Sequence, residues 1–264
     1  MFSPVAVVQG LLRTVSRVSQ SVARHVGQMS LLLWQAARAT LAGEVSFRSV
    51  LGQVYEMGVQ SLPLTLVTGI LSGVVTMQQG GYQVSSSLPL YILGSVVVEG
   101  VILELGPVMT AFVLIGRVGA RITAELGTMQ VSEQIDALYS VGRDPVSVLA
   151  APRIIAGTLV TPMLVGMANL AGIFSGIAAA QVTVGLGQES FLYGARLFWH
   201  SWDMFYSLMK ATVFGFTIPL ISCHMGLLTR GGAEGVGRST TTAVVMMIIT
   251  VLVLDALFPP LFLN

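Results

Sequence analysis

Apolar residues in this chain gather into long runs, not into the short alternations of a half-buried strand, and polar residues cluster between the runs. No charged side chain occurs from Met57 to Val98, and the polar, glycine-rich stretch from Gln78 to Ser87 divides that interval. A transmembrane helix needs about 20 mostly apolar residues to cross about 30 Å of hydrocarbon. The pattern predicts spans at 57–77, 88–115, 154–180, 204–228 and 240–258. The second carries Glu99, Glu104 and Pro107 within it. Backbone in hydrocarbon must satisfy its own hydrogen bonds, and these runs are too long for barrel strands, so the spans are helices. Leu186 to His200 reads as a short, aromatic-rich interfacial helix between the third and fourth spans.

Ahead of the first span the period changes. Leu11, Val15, Val18, Val22, Val26, Met29 and Leu33 recur at steps of three or four, one stripe of a helix. Arg13, Arg17, Gln20, Arg24 and Gln28 form a second stripe about 200° around it. This is the pattern of a helix lying in the membrane interface with its arginines toward anionic headgroups. A soluble helix packed on another subunit is the alternative. No compact apolar core with a small-residue cleavage site occurs here, so the segment is not a signal peptide.

Composition agrees with a lipid environment. Only 9% of the 264 residues are charged, against about 25% in a soluble domain, which leaves too few charges to cover a water-soluble particle. The balance of 13 basic to 12 acidic side chains argues against a nucleic-acid partner. A single cysteine, Cys223, excludes a disulfide framework, and His25, His200 and His224 have no metal-ligand spacing. Eleven arginines fall before span one or in the connections after spans two and four, whereas Arg196 alone lies on the other side. The positive-inside rule therefore predicts a cytoplasmic N-terminus and, after five crossings, an external C-terminus.

Inside the spans, Gly69-Ile-Leu-Ser-Gly73 and Gly172-Ile-Phe-Ser-Gly176 are GxxxG motifs that let helix backbones approach closely, within the chain or in a dimer. No GxSxG occurs, so the serines in them are not read as nucleophiles. Glu99, Glu104, Asp203, Lys210 and Asp255 would each cost at least about 2–3 kcal/mol at mid-bilayer. Asp203 and Asp255 sit near the outer ends of spans and are expected to meet water. Lys210 lies about 10 Å deeper than Asp203 by helix rise, so Lys210 and Glu104 are the candidates for an internal ion pair or a headgroup contact. A purely structural pair is the competing reading.

The segment after span two is the most distinctive. Arg117, Arg121 and Glu125 fall at i, i+4 and i+8, a neutralising ladder on one helix face. Ser132 suits an N-cap, Glu133 the first turn after it, and Gly142 a stop. Val131, Ile135 and Leu138 make an apolar edge beside acidic Glu133 and Asp136. Anionic lipid repels acidic residues, so this short amphipathic helix is expected to meet a protein.

From Glu104 to Arg153 the chain resembles the MlaE/YrbE family of ABC-transporter permeases, in ELGPV (104–108), GRVGARITAELGTM (116–129), SEQIDAL (132–138) and DP (144–145) followed by PR (152–153). The resemblance implies a homodimeric membrane core with two ATPase subunits on its cytoplasmic face and an MCE-domain protein hexamer on its periplasmic side. It implies phospholipid movement between the bacterial inner membrane and that periplasmic carrier. Residues 131–141 would be the coupling helix, and the layout includes an Asp203…Lys210 pair. Family members commonly carry Arg before the Glu of ELGPV, and here that residue is Leu103. Glu104 is then either protonated or paired elsewhere, for instance with Lys210.

Energy must come from outside. A P-loop needs Lys between Gly and Ser or Thr, and the only lysine, Lys210, stands between Met209 and Ala211. The expectation is a permease without an ATPase motif of its own, binding no cofactor, with ATP and magnesium on the partner. Two other classes are a secondary transporter and a non-transporting scaffold; five spans do not divide into the equal halves common in the first. The reading is an all-α integral membrane protein: an amphipathic region at 1–52, a five-span permease domain at 53–264, a cytoplasmic coupling helix and a short periplasmic interfacial helix. An outward cavity lined by Val74, Met77, Gln78 and Tyr82 is the expected lipid path, since such side chains could hold acyl chains and a headgroup. The opening residues lack a Ser/Arg-rich transit segment, which favours a bacterial inner membrane over a plastid envelope.

Overall fold

A computed structural model describes residues 4–83 and 89–262, giving backbone alone for 4–19, 21 and 22. Leu11, Val15, Val18 and Val22 of the apolar stripe, Arg13 and Arg17 of the basic one, and residues 84–87 of the polar divider therefore lie outside the residues whose side chains are described.

Among the described residues all regular structure is helical. Five helices are long and apolar enough to cross a membrane: α2 (Phe47–Gln83), α3 (Ile92–Val131), α5 (Val146–Val184), α7 (Ser201–Leu227) and α8 (Gly232–Phe262). They accompany α1 (Pro4–Leu41), α4 (Gln134–Ser140) and α6 (Gln188–Leu197). Each long helix overlies one predicted span. Helices α2, α5 and α8 run past theirs at both ends, while α3 starts at 92 instead of 88 and continues to 131. Glycines end α4 and α5. Gly142 (φ 74°) and Gly185 (φ 66°) take the left-handed conformation that a side chain disfavours. Leu186 N–H then reaches back to the Ala180 carbonyl at 3.1 Å, closing the end of α5.

The GxxxG pair joins α2 to α5 within this chain. A methyl group on Gly73 would overlap the Gly172 carbonyl, so only glycine permits the contact, and Ser175 donates across it to the Ile70 carbonyl at 2.9 Å. The main core gathers Leu114, Ile115 and Ile122 of α3 with Ile154 and Val160 of α5, Phe214 and Ile218 of α7, and Met247 of α8. A smaller core toward α6 holds Met77, Leu93, Val97, Ala180 and Phe191. Helix α1 joins the main core through buried Leu32 and Ala36, with Met29 and Leu33 half-buried beside it, while Val26, Leu31 and Trp34 are exposed.

Among the described residues three π-helical turns interrupt the long helices, Tyr55–Val59, Gly100–Leu105 and Ile115–Gly119, and a fourth, Val146–Ala150, opens α5. Each adds a residue to a turn and rotates the next stretch of helix about the axis. Pro107 stands two residues after the second, inside a continuous helix.

Candidate functional site

Pro107 has no N–H to give to the turn before it, which is the π-helical stretch Gly100–Leu105 of α3. Lys210 of α7 reaches that turn, donating Nζ to Leu103 O at 3.2 Å. The same ammonium donates to Glu104 Oε2 at 2.8 Å and forms an ion pair with Asp255 Oδ1 of α8. The Asp255 contact is a close charge pair and not an aligned hydrogen bond. Three helices meet at one nitrogen.

Burial differs sharply across this cluster. The Lys210 side chain is 0% exposed and Asp255 14%, but Glu104 is 51% exposed. The Tyr206 ring lies one turn from Lys210, its centroid 5.7 Å from Nζ, and the neighbouring Ser207 accepts from Asn169 Nδ2 at 3.2 Å. A methyl on Gly106 would collide with Asn169 Oδ1, so that glycine lets α5 bring its amide against α3. One ammonium faces two carboxylates, and the cluster opens to the surface through Glu104. An arrangement of this kind can hold a cation, or exchange Glu104 for another anion at Lys210.

The structure brings Lys210 and Glu104 together and corrects the reading of Asp255. That carboxylate does not meet water at a span end: α8 continues through Pro259 and Pro260 to Phe262, placing Asp255 about 10 Å inside the helix. Sequence reasoning missed it as a third member, although an acid in so apolar a run was itself a signal. Asp203 does not pair with Lys210. It accepts from His200 N–H at 3.2 Å in a capping box that starts α7.

At the arginine-rich end, the predicted ladder of Arg117, Arg121 and Glu125 is not intrahelical. Arg121 pairs with Glu56 of α2 at 2.8 Å, Arg117 donates to Ser61 and to Gln60 Oε1, and Glu125 accepts from Arg153 of α5 at 2.7 Å. The Ile115–Gly119 π-turn rotates Arg117 relative to Arg121, so the charges tie α3 to two neighbours.

Beyond this clamp hangs α4, and its start also differs from the expectation. Ser132 ends α3, donating back to Thr128 O at 2.7 Å, and Glu133 is the N-cap residue in a left-handed conformation (φ 60°). Ile135 is 3% exposed, buried against its own chain instead of open to a partner. Leu138 is half-buried, Asp136 exposed, and Val131, Tyr139 and Val141 offer the exposed apolar surface.

Of the expected lipid-path residues, Met77 is buried in the smaller core. Val74 is half-buried, Gln78 is exposed, and Tyr82 is 93% exposed at the end of α2.

Comparison with known proteins gives a consistent match. The family described as Permease MlaE matches residues 50–260. A probable ABC transporter permease protein of Synechocystis sp. is 38% identical over 213 residues, covering 81% of each chain. One from Rickettsia prowazekii is 35% identical over 91% of this chain and 93% of its own. The chloroplastic protein Trigalactosyldiacylglycerol 1 of Arabidopsis thaliana is 34% identical over 88% of this chain and 66% of its own.

Proposed function

Because the chain belongs to the Permease MlaE family, and so is a multi-pass ABC transporter permease that works with a partner ATPase, we propose that it moves phospholipids or similar lipids, with the Lys210–Glu104–Asp255 cluster on the route. In this reading two copies form the membrane core of a bacterial inner membrane complex. ATP and magnesium bind the ATPase on the cytoplasmic side, and an MCE-domain hexamer receives or delivers lipid outside. The N-terminus is cytoplasmic and the C-terminus periplasmic.

The observation that carries the reading is the half-exposed Glu104 beside a wholly buried Lys210, about 18 Å along α3 from its start. Ionisable groups at such depth face water-lined or protein-lined space, not acyl chains. A cavity between two copies supplies such a space, and the Lys210 ammonium there suits a lipid phosphate. The name of the Arabidopsis relative, a galactolipid, supports a lipid cargo. Gln78 and Tyr82 stand at the outer end of α2, where a headgroup would leave. Val131, Glu133, Asp136 and Leu138 belong to the segment proposed to couple to the ATPase.

Purification from the native membrane, then reconstitution in proteoliposomes with fluorescent phospholipid, tests this. An ATPase should co-purify, and ATP should drive lipid movement that Lys210→Ala abolishes. Lipid movement indifferent to ATP, or unchanged in Lys210→Ala, would overturn the proposal.

A further inference from the structure

A polar cavity lies at the arginine-rich end of the bundle, where the proposed function assigns it no role. Of about 510 Å³, it opens between α1 and the α7–α8 connection. Arg24, His25 and Gln28 line it from α1, Arg230 and Ser239 from the connection and α8, and Met225 and Leu228 from the end of α7. No carboxylate is among the lining side chains, and neither arginine has an ion-pair partner among the described residues.

The cavity is built by a specific contact. His25 Nδ1 lies 3.0 Å from His224 Nε2, one ring donating and the other accepting, with the rings edge-to-face at 5.3 Å. That bond pins α1 to α7 and commits one nitrogen of His25, leaving Nε2 for a ligand. Two guanidinium groups, an imidazole, the amides of Gln20 and Gln28 and a hydroxyl thus surround the space, and Met225 and Leu228 supply an apolar wall at the end of a membrane-spanning helix.

This chemistry fits a molecule with an anionic phosphate and an apolar tail. Basic pockets between transmembrane helices at a membrane face hold anionic headgroups in this way. We propose that the cavity is a binding site for the headgroup of an anionic phospholipid in the leaflet at the arginine-rich face. It is separate from the Lys210 cluster, which lies about 22 Å away along α7 from Met225. The site therefore retains a resident lipid that fastens α1 to the bundle, and it needs no transport to be occupied.

The test uses the full chain in nanodiscs of phosphatidylcholine containing a few per cent of photoactivatable phosphatidylglycerol. Cross-linked peptides should cover residues 20–28 and 225–239. Arg24→Gln and Arg230→Gln should each reduce labelling about fivefold, and together about 25-fold, near the value of one basic charge per contact. Arg24→Lys with Arg230→Lys keeps the charge and should keep most of the labelling, which separates loss of recognition from loss of folding. Equal labelling by a photoactivatable phosphatidylcholine, or labelling unaffected by Arg24→Gln with Arg230→Gln, would overturn the proposal. Displacement of the probe by millimolar inorganic phosphate would assign the site to a soluble anion and also overturn it. Because labelling requires neither ATPase nor transport, its failure leaves the transport reading to be judged separately.

Discussion

Lys210 is wholly buried between two carboxylates, one nearly buried and one half-exposed, and that sets the cost of removing it. Breaking a buried ion pair commonly costs about 3–5 kcal/mol because the remaining charge is stranded. Lys210→Ala should therefore lower both melting temperature and transport, and Glu104→Gln or Asp255→Asn in the same chain should restore part of each. A double-mutant cycle on stability should give couplings of about 0.5–3 kcal/mol for both pairs. Additive losses would dissolve the cluster as a unit. Lys210 and Glu104 were legible in sequence because a charge deep in an apolar run is rare. Asp255 was misjudged because Pro259 and Pro260 look like a helix end, and a helix ending at 258 would put the acid near water. The π-turn that rotates Arg117 away from Arg121 has no equally plain signature in the residues.

At the scale of elements, α4 presents a different face from the one its spacing suggests. Ile135 is turned inward, so Ile135→Asp buries an unpaired carboxylate and should destabilise the whole chain. Tyr139 and Val141 are the exposed apolar groups. Tyr139→Asp with Val141→Asp should leave the chain folded and weaken ATPase recovery about thirtyfold or more in a pull-down, the effect of losing a central anchor. Glu133→Gly is the sharper probe of charge. Its left-handed backbone suits glycine, so the turn persists while the carboxylate goes, and binding should become weaker and less salt-dependent. Hydrophobic spacing correctly located this short helix between α3 and α5. It could not choose the inward face, because Ile135 and Leu138 share a stripe and only the neighbouring helices decide which is covered.

At the scale of the whole molecule, the orientation rests on arginines alone and can be read directly. Cys223 is fully buried, so the native chain should give little background with a membrane-impermeant maleimide. Arg196→Cys should label from outside intact cells, and Arg230→Cys only after permeabilisation; the reverse pattern would invert the topology. The five spans were legible because length and apolarity suffice to identify them. Their mutual arrangement was not: the two GxxxG motifs announced close packing, within the chain or in a dimer, and only the structure shows that they meet along α2 and α5. Where backbones approach at Gly73 and Gly172, the short Ser175 side chain, bonded to the Ile70 carbonyl, leaves little to compress or change rotamer. The stretches of α2 and α5 around that contact should then travel together through a transport cycle. Bending falls to places where the ladder is already loosened, such as the wide turn before Pro107 in α3. The moving part of this permease is thus expected to be the helix that carries Glu104, hinged against the glycine-locked stretch of α2 and α5.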